Sequence, residues 1–299
     1  MPKIDLRKKI ERDLLLLDGA MGTELIARGA GVGKCNDYLN IESPNTVFAV
    51  HQAYIQAGSD AILTNTFGAN RYVLARHGLA GEVDRINTAG AEIARKAAGN
   101  EKYVLGDIGP SGDFLEPLGS LKPDELKEAL AQQAKALIAA GVDGLIIETM
   151  TALDEITVAI KAAKSVCGDL PVFASMAFDK VGNDFRTMMG VDVKSGVSKM
   201  VSLGADAVGF NCGTASLADY VELSKRFVGE ARKTGSEVVV FAEPNAGKPE
   251  LVNGKALYHV SPEDFAKAAQ EIYSAGVRVI GGCCGTGPEH IKAIADKLK

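Results

Sequence analysis

The sequence predicts a (β/α)8 TIM barrel, folded as one domain over residues 1–299. Three observations predict it. Eight short β-type apolar runs alternate with longer amphipathic helical stretches. Pairs of a small or apolar residue with glycine close the helices and lead within a few residues into the next apolar run. Polar residues collect at the ends of those runs and not at their starts. Alternating strand and helix periodicities argue for parallel strands joined by crossover helices. Eight copies argue for closure, and polar strand ends mark the face on which βα loops converge. A doubly wound sheet fits less well, because no Gly-x-Gly-x-x-Gly follows the first strand.

In chain order, the leucine run Leu14–Asp18 is the first expected strand, stopped by Asp18-Gly19. The others are expected at Ala61–Thr66, Tyr103–Ile108, Gly144–Thr149, Pro171–Phe178, Ala207–Asn211, Val238–Ala242 and Val277–Gly281, all rich in Val, Ile, Leu or Phe. Helical patterns fall between and after them, at Thr46–Ala57, Val83–Ala98, Pro123–Ala140, Leu153–Val166, Val191–Leu203, Ala215–Lys233, Pro262–Ala275 and Pro288–Leu298. Pro123-Asp124-Glu125 and Ser261-Pro262-Glu263-Asp264 place proline and acids in first turns, where the helix dipole favours them. Ala57-Gly58, Ala140-Gly141, Leu203-Gly204 and Ala275-Gly276 supply helix stops.

Composition sets the outer limits. Charged residues make up 24% and the net charge is -5 with interspersed signs, so no basic stripe for nucleic acid is present. The apolar run Leu14–Leu17 is too short for a membrane span or a signal-peptide core, and cytoplasmic residence is the expectation. Five cysteines, an odd number, do not form a disulfide framework; in a reducing compartment, clustered cysteines bind metal or do chemistry.

Two strand ends carry those cysteines. Val279-Ile280 empties into Gly281-Gly282-Cys283-Cys284-Gly285, and Ala207-Val208-Gly209-Phe210-Asn211 into Cys212-Gly213. In one barrel these ends bring three thiols to one face. Adjacent Cys283 and Cys284 cannot both point down one side of a straight strand, but a glycine-flanked turn lets both aim at one ion. Three thiolates with one open position describe a catalytic zinc site. Such a site is a weak Lewis acid suited to holding a fourth thiol as thiolate, so the expected chemistry is thiol activation. Competing readings are small buried hydrophobes and a strained vicinal disulfide. The four histidines, His51, His77, His259 and His290, fall in helices or loops with packing or surface roles, and Cys35 and Cys167 lack partners at metal spacing.

The motifs Asp18-Gly19-Ala20-Met21-Gly22-Thr23, Thr64-Asn65-Thr66-Phe67, Gly106-Asp107-Ile108-Gly109-Pro110, Ile147-Glu148-Thr149, Gly209-Phe210-Asn211-Cys212, Pro244-Asn245-Ala246-Gly247 and Gly281-Gly282-Cys283-Cys284-Gly285 occur in the order seen in homocysteine S-methyltransferases. From about Leu14 to the C-terminus the chain resembles that family, most of all the homocysteine-binding modules of cobalamin-dependent methionine synthases. The resemblance implies a zinc-bearing barrel with one ion per chain and methyl transfer to homocysteine, giving methionine. It implies Cys212, Cys283 and Cys284 as zinc ligands and Asn245 as the occupant of the fourth position before homocysteine displaces it. It implies Glu148 as the carboxylate that receives the substrate ammonium. The turn Asp18-Gly19-Ala20 is expected to contact the amino-acid end, with Thr66 beside the pocket. Competing roles are a salt bridge for Glu148 and turn stabilisation for Asp18 and Asn245.

The methyl donor is the least determined part. No Asp-x-His-x-x-Gly cobalamin segment is present, and Gly68 stands where betaine-dependent relatives carry tyrosine. The expected donor is methylcobalamin on a separate corrinoid protein, docking at a partly apolar rim to which Met188-Met189 are candidates. S-methylmethionine or S-adenosylmethionine is the alternative. Two other functions compete: a barrel lyase or isomerase holding phosphate on the glycines after the last strands, and a non-catalytic homocysteine or zinc carrier.

Overall fold

The computed structural model describes residues 3–31, 33–252 and 255–299. Eight parallel strands run around a nearly closed barrel: β1 Leu15–Leu16, β2 Ala61–Leu63, β3 Tyr103–Ile108, β4 Gly144–Met150, β5 Val172–Met176, β6 Ala207–Asn211, β7 Val239–Glu243 and β8 Val279–Ile280. Their spatial order is β1-β8-β7-β6-β5-β4-β3-β2, so each strand lies beside its sequence neighbour and β8 returns to β1. Outside lie α1 Pro44–Ala57, α2 Val83–Ala98, α3 Pro123–Ala139, α4 Leu153–Lys164, α5 Val193–Ser202, α6 Leu217–Lys233, α7 Pro262–Ser274 and α8 Pro288–Leu298. All eight expected strands and helices are present, and Gly58, Gly141, Gly204 and Gly276 take left-handed φ of 107°, 87°, 78° and 114° at helix stops.

Several boundaries differ from the sequence expectation. β1, β2 and β8 are shorter than Leu14–Asp18, Ala61–Thr66 and Val277–Gly281. For β1 and β2 the cause is the β1–β2 seam, where side chains replace the ladder. Asp60 accepts from Leu16 N at 3.1 Å and the Asp18 carboxylate accepts from Leu63 N at 3.0 Å. Helix α6 begins at Leu217 and not at Ala215, because Ser216 and Asp219 form a capping box. Helix α5 begins at Val193 and not Val191, with Asp192 accepting from Ser195 N. Unexpected elements are the helices Leu6–Arg12, Met21–Ala27, Leu39–Glu42 and Arg71–Ala75, and two hairpins in βα loops, Asp179–Val181 with Asp184–Arg186 and Glu250–Val252 with Lys255–Leu257.

Two apolar layers hold the barrel. Leu15, Leu17, Tyr103, Leu105, Ile146, Phe173, Phe241 and Val279 fill its inside, closed below by Leu6 and Ile10 of the N-terminal helix. A larger layer lies between strands and helices. Each fully buried Leu, Ile or Phe contributes about 2 kcal/mol by leaving water. Alternation along the strands sends successive side chains to one layer or the other, so the interior is packed and the open chemistry is confined to the strand ends.

Candidate active site

The strand ends β6, β7 and β8 are knitted together by backbone bonds: Cys212 N donates to Glu243 O at 3.2 Å, Cys283 N to Pro244 O at 2.8 Å and Ala246 N to Cys284 O at 2.9 Å. Cys212 itself sits at φ 55°, outside the extended strand, which turns its thiol from β6 toward β8. Gly213 completes that turn at φ 81°; a Cβ there would stand 2.4 Å from Phe178 O. After β8, Thr286 N and Oγ1 both donate to Cys283 O, at 3.1 and 2.7 Å, curling Cys283-Cys284 into a tight turn.

The three sulfurs lie within 4.8 Å of one another, with Cys212–Cys284 and Cys283–Cys284 each at 4.0 Å. Tetrahedral coordination with zinc–thiolate bonds of about 2.3 Å spaces sulfurs about 3.8 Å apart. The separations lie slightly above that spacing, so a small inward movement of the thiols would seat one metal ion. Hydrogen bonds from Cys212 and Cys283 draw the Cys284 thiol down to about 3, while donating to Cys212 and Cys284 holds Cys283 up. A site that already favours one thiolate among thiols suits a cation. The vicinal disulfide expected as a rival is absent, since all five cysteines are free.

Asn245 stands at this cluster. Its Nδ2 donates to Gly213 O at 2.5 Å and lies 3.9 Å from Cys212 Sγ, and its buried Oδ1 has no partner. Gly247 N also donates to Asn245 O at 2.7 Å, so the residue makes a turn and presents a side chain to the thiols at once.

Beside the thiols the mouth is acidic. Glu148 lies two residues before the end of β4, with no cation at ion-pair distance among the described residues, and the competing salt-bridge role gains no support. Burial, then the nearby Cys212, pushes its carboxyl up to about 8. Two further carboxylates, which no sequence motif had singled out for a role, join it. Asp107 and Glu243 are 5% and 2% exposed, and each has a carboxylate oxygen without a partner. Burial, then the charge of Glu148, raises both well above the ordinary carboxylate range. Glu148 thus raises both Asp107 and Glu243, and none of the three has a cation at ion-pair distance among the described residues, so this part of the mouth favours an incoming positive charge.

The remaining expected residues are placed as follows. Asp18 is buried, its carboxylate bonded to Leu63 N and its carbonyl accepting from Gly282 N at 3.0 Å. Gly19 packs against Thr286 and Tyr54, where a Cβ would lie 2.8 Å from Thr286 Oγ1. Ala20 N already donates to Thr286, and Ala20 O accepts from Tyr54 Oη at 3.1 Å. Thr66 is fully buried and spends its hydroxyl on Asp107 O at 2.8 Å and on Thr64 at 2.6 Å. This segment thus frames the acidic wall. Of the histidines, His290 accepts from Gly287 N and bonds Val260 O, a packing role, and His51 is fully buried with neither ring nitrogen bonded.

A parallel barrel with three thiols near metal spacing and unpaired carboxylates gathered at its C-terminal mouth has the form of a barrel enzyme whose site lies at the strand ends. The chain belongs to the homocysteine S-methyltransferase family, whose model matches residues 15–298. It is 31% identical to a methionine synthase of Mycobacterium tuberculosis and 30% identical to that of Mycobacterium leprae, over 97% of the chain in each case. It spans about a quarter, 25%, of the length of those two relatives. The metallated form of the homocysteine methyltransferase MmuM from Escherichia coli shares its fold, with a TM-score of 0.77 and 23% identity over 96% of both chains.

Proposed function

We propose that this chain binds one zinc ion through Cys212, Cys283 and Cys284 and transfers a methyl group to the thiol of homocysteine, giving methionine. The observation that carries this reading is the juxtaposition of three sulfurs at metal spacing with carboxylates that have no cation. With zinc held there, a fourth thiol binds as its thiolate at neutral pH. Asn245, held against Cys212, offers its unpartnered Oδ1 as the fourth ligand when no substrate is present. Glu148 receives the substrate ammonium, whose positive charge favours the ionised forms of the nearby Asp107 and Glu243 as well. Asp18, Gly19, Ala20 and Thr66 shape the wall against the amino-acid end. Fixing sulfur and ammonium at two points leaves one orientation for attack on the methyl carbon, and the displacement becomes effectively unimolecular.

The donor in this reading is methylcobalamin carried by a corrinoid protein. Two features support it: the identity to mycobacterial methionine synthases, and an apolar rim on the loops around the mouth. Phe67, Phe114, Leu118, Val181, Met188 and Leu257 are all exposed, Leu118 and Met188 by 70% and 73%. Rims of this kind mark protein contact.

Turnover of homocysteine with methylcobalamin, methyl-corrinoid protein, S-methylmethionine, S-adenosylmethionine and betaine in parallel tests both halves. Methionine formed fastest with the corrinoid donors is expected. Methionine formed only with a sulfonium compound overturns the donor, and a zinc-loaded protein inactive with every donor overturns the activity.

A further inference from the structure

Among the described residues, Thr149 and Cys212 alone combine a side chain with positive φ, at 63° and 55°. Thr149 lies on β4 and Cys212 just after β6, and one residue, the chain neighbour of Cys212, bonds to Thr149. Asn211, fully buried at the end of β6, immediately precedes Cys212. Its side chain reaches across β5 to β4: Oδ1 accepts from Thr149 N at 2.8 Å, and Nδ2 donates to Thr149 Oγ1 at 2.7 Å. Ser175 on β5 donates to the same Oδ1 at 2.8 Å, and Nδ2 lies 3.9 Å from Cys283 Sγ.

What Asn211 holds is a bulge. Between Ile147↔Ala174 and Met150↔Met176, β4 carries one residue more than β5, and the residues inside are Glu148 and Thr149. A bulge re-aims a side chain out of the strand's alternation. A β-branched residue in the left-handed region stays there only if its surroundings over-determine it. The two-point clamp from Asn211 is that determinant.

We infer that Asn211 is a positioning residue that locks the β4 bulge, and so fixes Glu148 at a set distance from the thiols, giving the enzyme its selectivity for thiols that also bear an ammonium. The inference rests on the proposed homocysteine site and adds how its two halves are kept in register. Neither Asn211 nor Thr149 has to touch the substrate. Asparagine is required because the clamp needs an acceptor for a backbone N–H and a donor for a hydroxyl on one planar group.

Calorimetric titration of zinc-loaded protein with homocysteine and with 4-mercaptobutyrate, which lacks the ammonium, tests this without any methyl donor. Zinc content is measured alongside. Asn211→Ala is expected to retain one zinc per chain and its affinity for 4-mercaptobutyrate, while its preference for homocysteine falls at least tenfold. Ser175→Ala is expected to lower the preference less, in the same direction. Adding Thr149→Gly to Asn211→Ala is expected to restore part of the preference, since glycine takes φ 63° unaided. An unchanged preference in a zinc-replete Asn211→Ala protein overturns the inference alone. So does loss of zinc together with both affinities in Asn211→Ala and Ser175→Ala, which makes Asn211 a support of the metal cluster. A wild-type protein with no preference for homocysteine overturns the underlying site as well.

Discussion

At the N-terminal end of the barrel, Asp60, Asp143 and Asp206 each stand just before an even-numbered strand and each is saturated with partners. Their carboxylates accept from Leu16, Val104 and Val172 N at 3.1, 2.8 and 2.8 Å, the same three strands whose carbonyls accept from the aspartates' own N–H groups. Each also pairs with two cations: Asp60 with Lys102 and Lys299, Asp143 with Lys3 and Arg95, Asp206 with Arg7 and Lys164. Burial alone would raise the Asp206 carboxyl, yet the bonds from Arg7 and Lys164 outweigh it and leave it below its ordinary value. At the C-terminal end, Asp107 and Glu243 are buried and Glu148 partly so, none has a cation at ion-pair distance among the described residues, and all three are raised. One end spends its charges on folding. The other keeps them unspent, which is destabilising until a ligand supplies the missing cation.

The sharpest way to break this contrast is at the thiols. Cys212→Ala, Cys283→Ala and Cys284→Ala are each expected to lose bound zinc and about 10³-fold or more in methyl transfer, while the metal-free melting temperature stays close to that of metal-free wild type. A variant that keeps both zinc and activity contradicts the site. Next in size, Glu148→Gln is expected to raise KM for homocysteine about 100-fold through loss of a charge-assisted bond of about 2–3 kcal/mol. The same change tests the unspent charge. Glu148 has a folded pKa raised to about 8 from 4.5, so its protonated form is favoured by folding; the stability this brings is complete below pH 4.5 and is lost as pH rises through 8. Without ligand, Glu148→Gln is therefore expected to melt higher than wild type at pH 8.5 and equally at pH 4.5, read by calorimetry across that range.

At the opposite end, Asp206→Ala removes the acceptor of Lys164 and Val172 N and leaves Arg7 only its bond to Asp169 O. It is expected to cost about 2 kcal/mol by denaturant titration, with kcat and KM unchanged at temperatures where the protein is folded. A larger effect on turnover than on stability would erase the distinction between the two ends. The smallest effect concerns His51, buried with no partner and held down to about 3. A histidine lowered from 6.5 contributes stability that is present above pH 6.5 and lost as pH falls toward 3. His51→Leu is expected to flatten the acid limb of the stability curve and to stabilise by about 1 kcal/mol at neutral pH, measured by urea unfolding at pH 4.5 and 7.

The barrel was legible in the sequence because its signals are local: apolar runs of strand length, glycines after helices, prolines and acids in first turns. The thiol cluster was legible too, since Cys212 and Cys283-Cys284 end two strands and a barrel has one face on which strands end. What stayed hidden depends on side chains reaching across strands. The bulge at Glu148-Thr149 exists because Asn211 pulls on it from two strands away, and no pattern within Ile147-Glu148-Thr149 announces it. Asp107 and Glu243 look like any polar strand end until burial and the lack of a partner distinguish them. The helix Leu6–Arg12 has only Leu6 and Ile10 to bury, too few to make a periodic signal, and it becomes visible once the barrel floor it covers is known.

X-ray absorption at the zinc edge reads the proposed coordination directly, three cysteines on one zinc with a place left for a guest thiol. Three sulfur ligands per zinc without substrate and four after addition of homocysteine are predicted. A sulfur count that stays the same when homocysteine is added, or that begins below three, would contradict it.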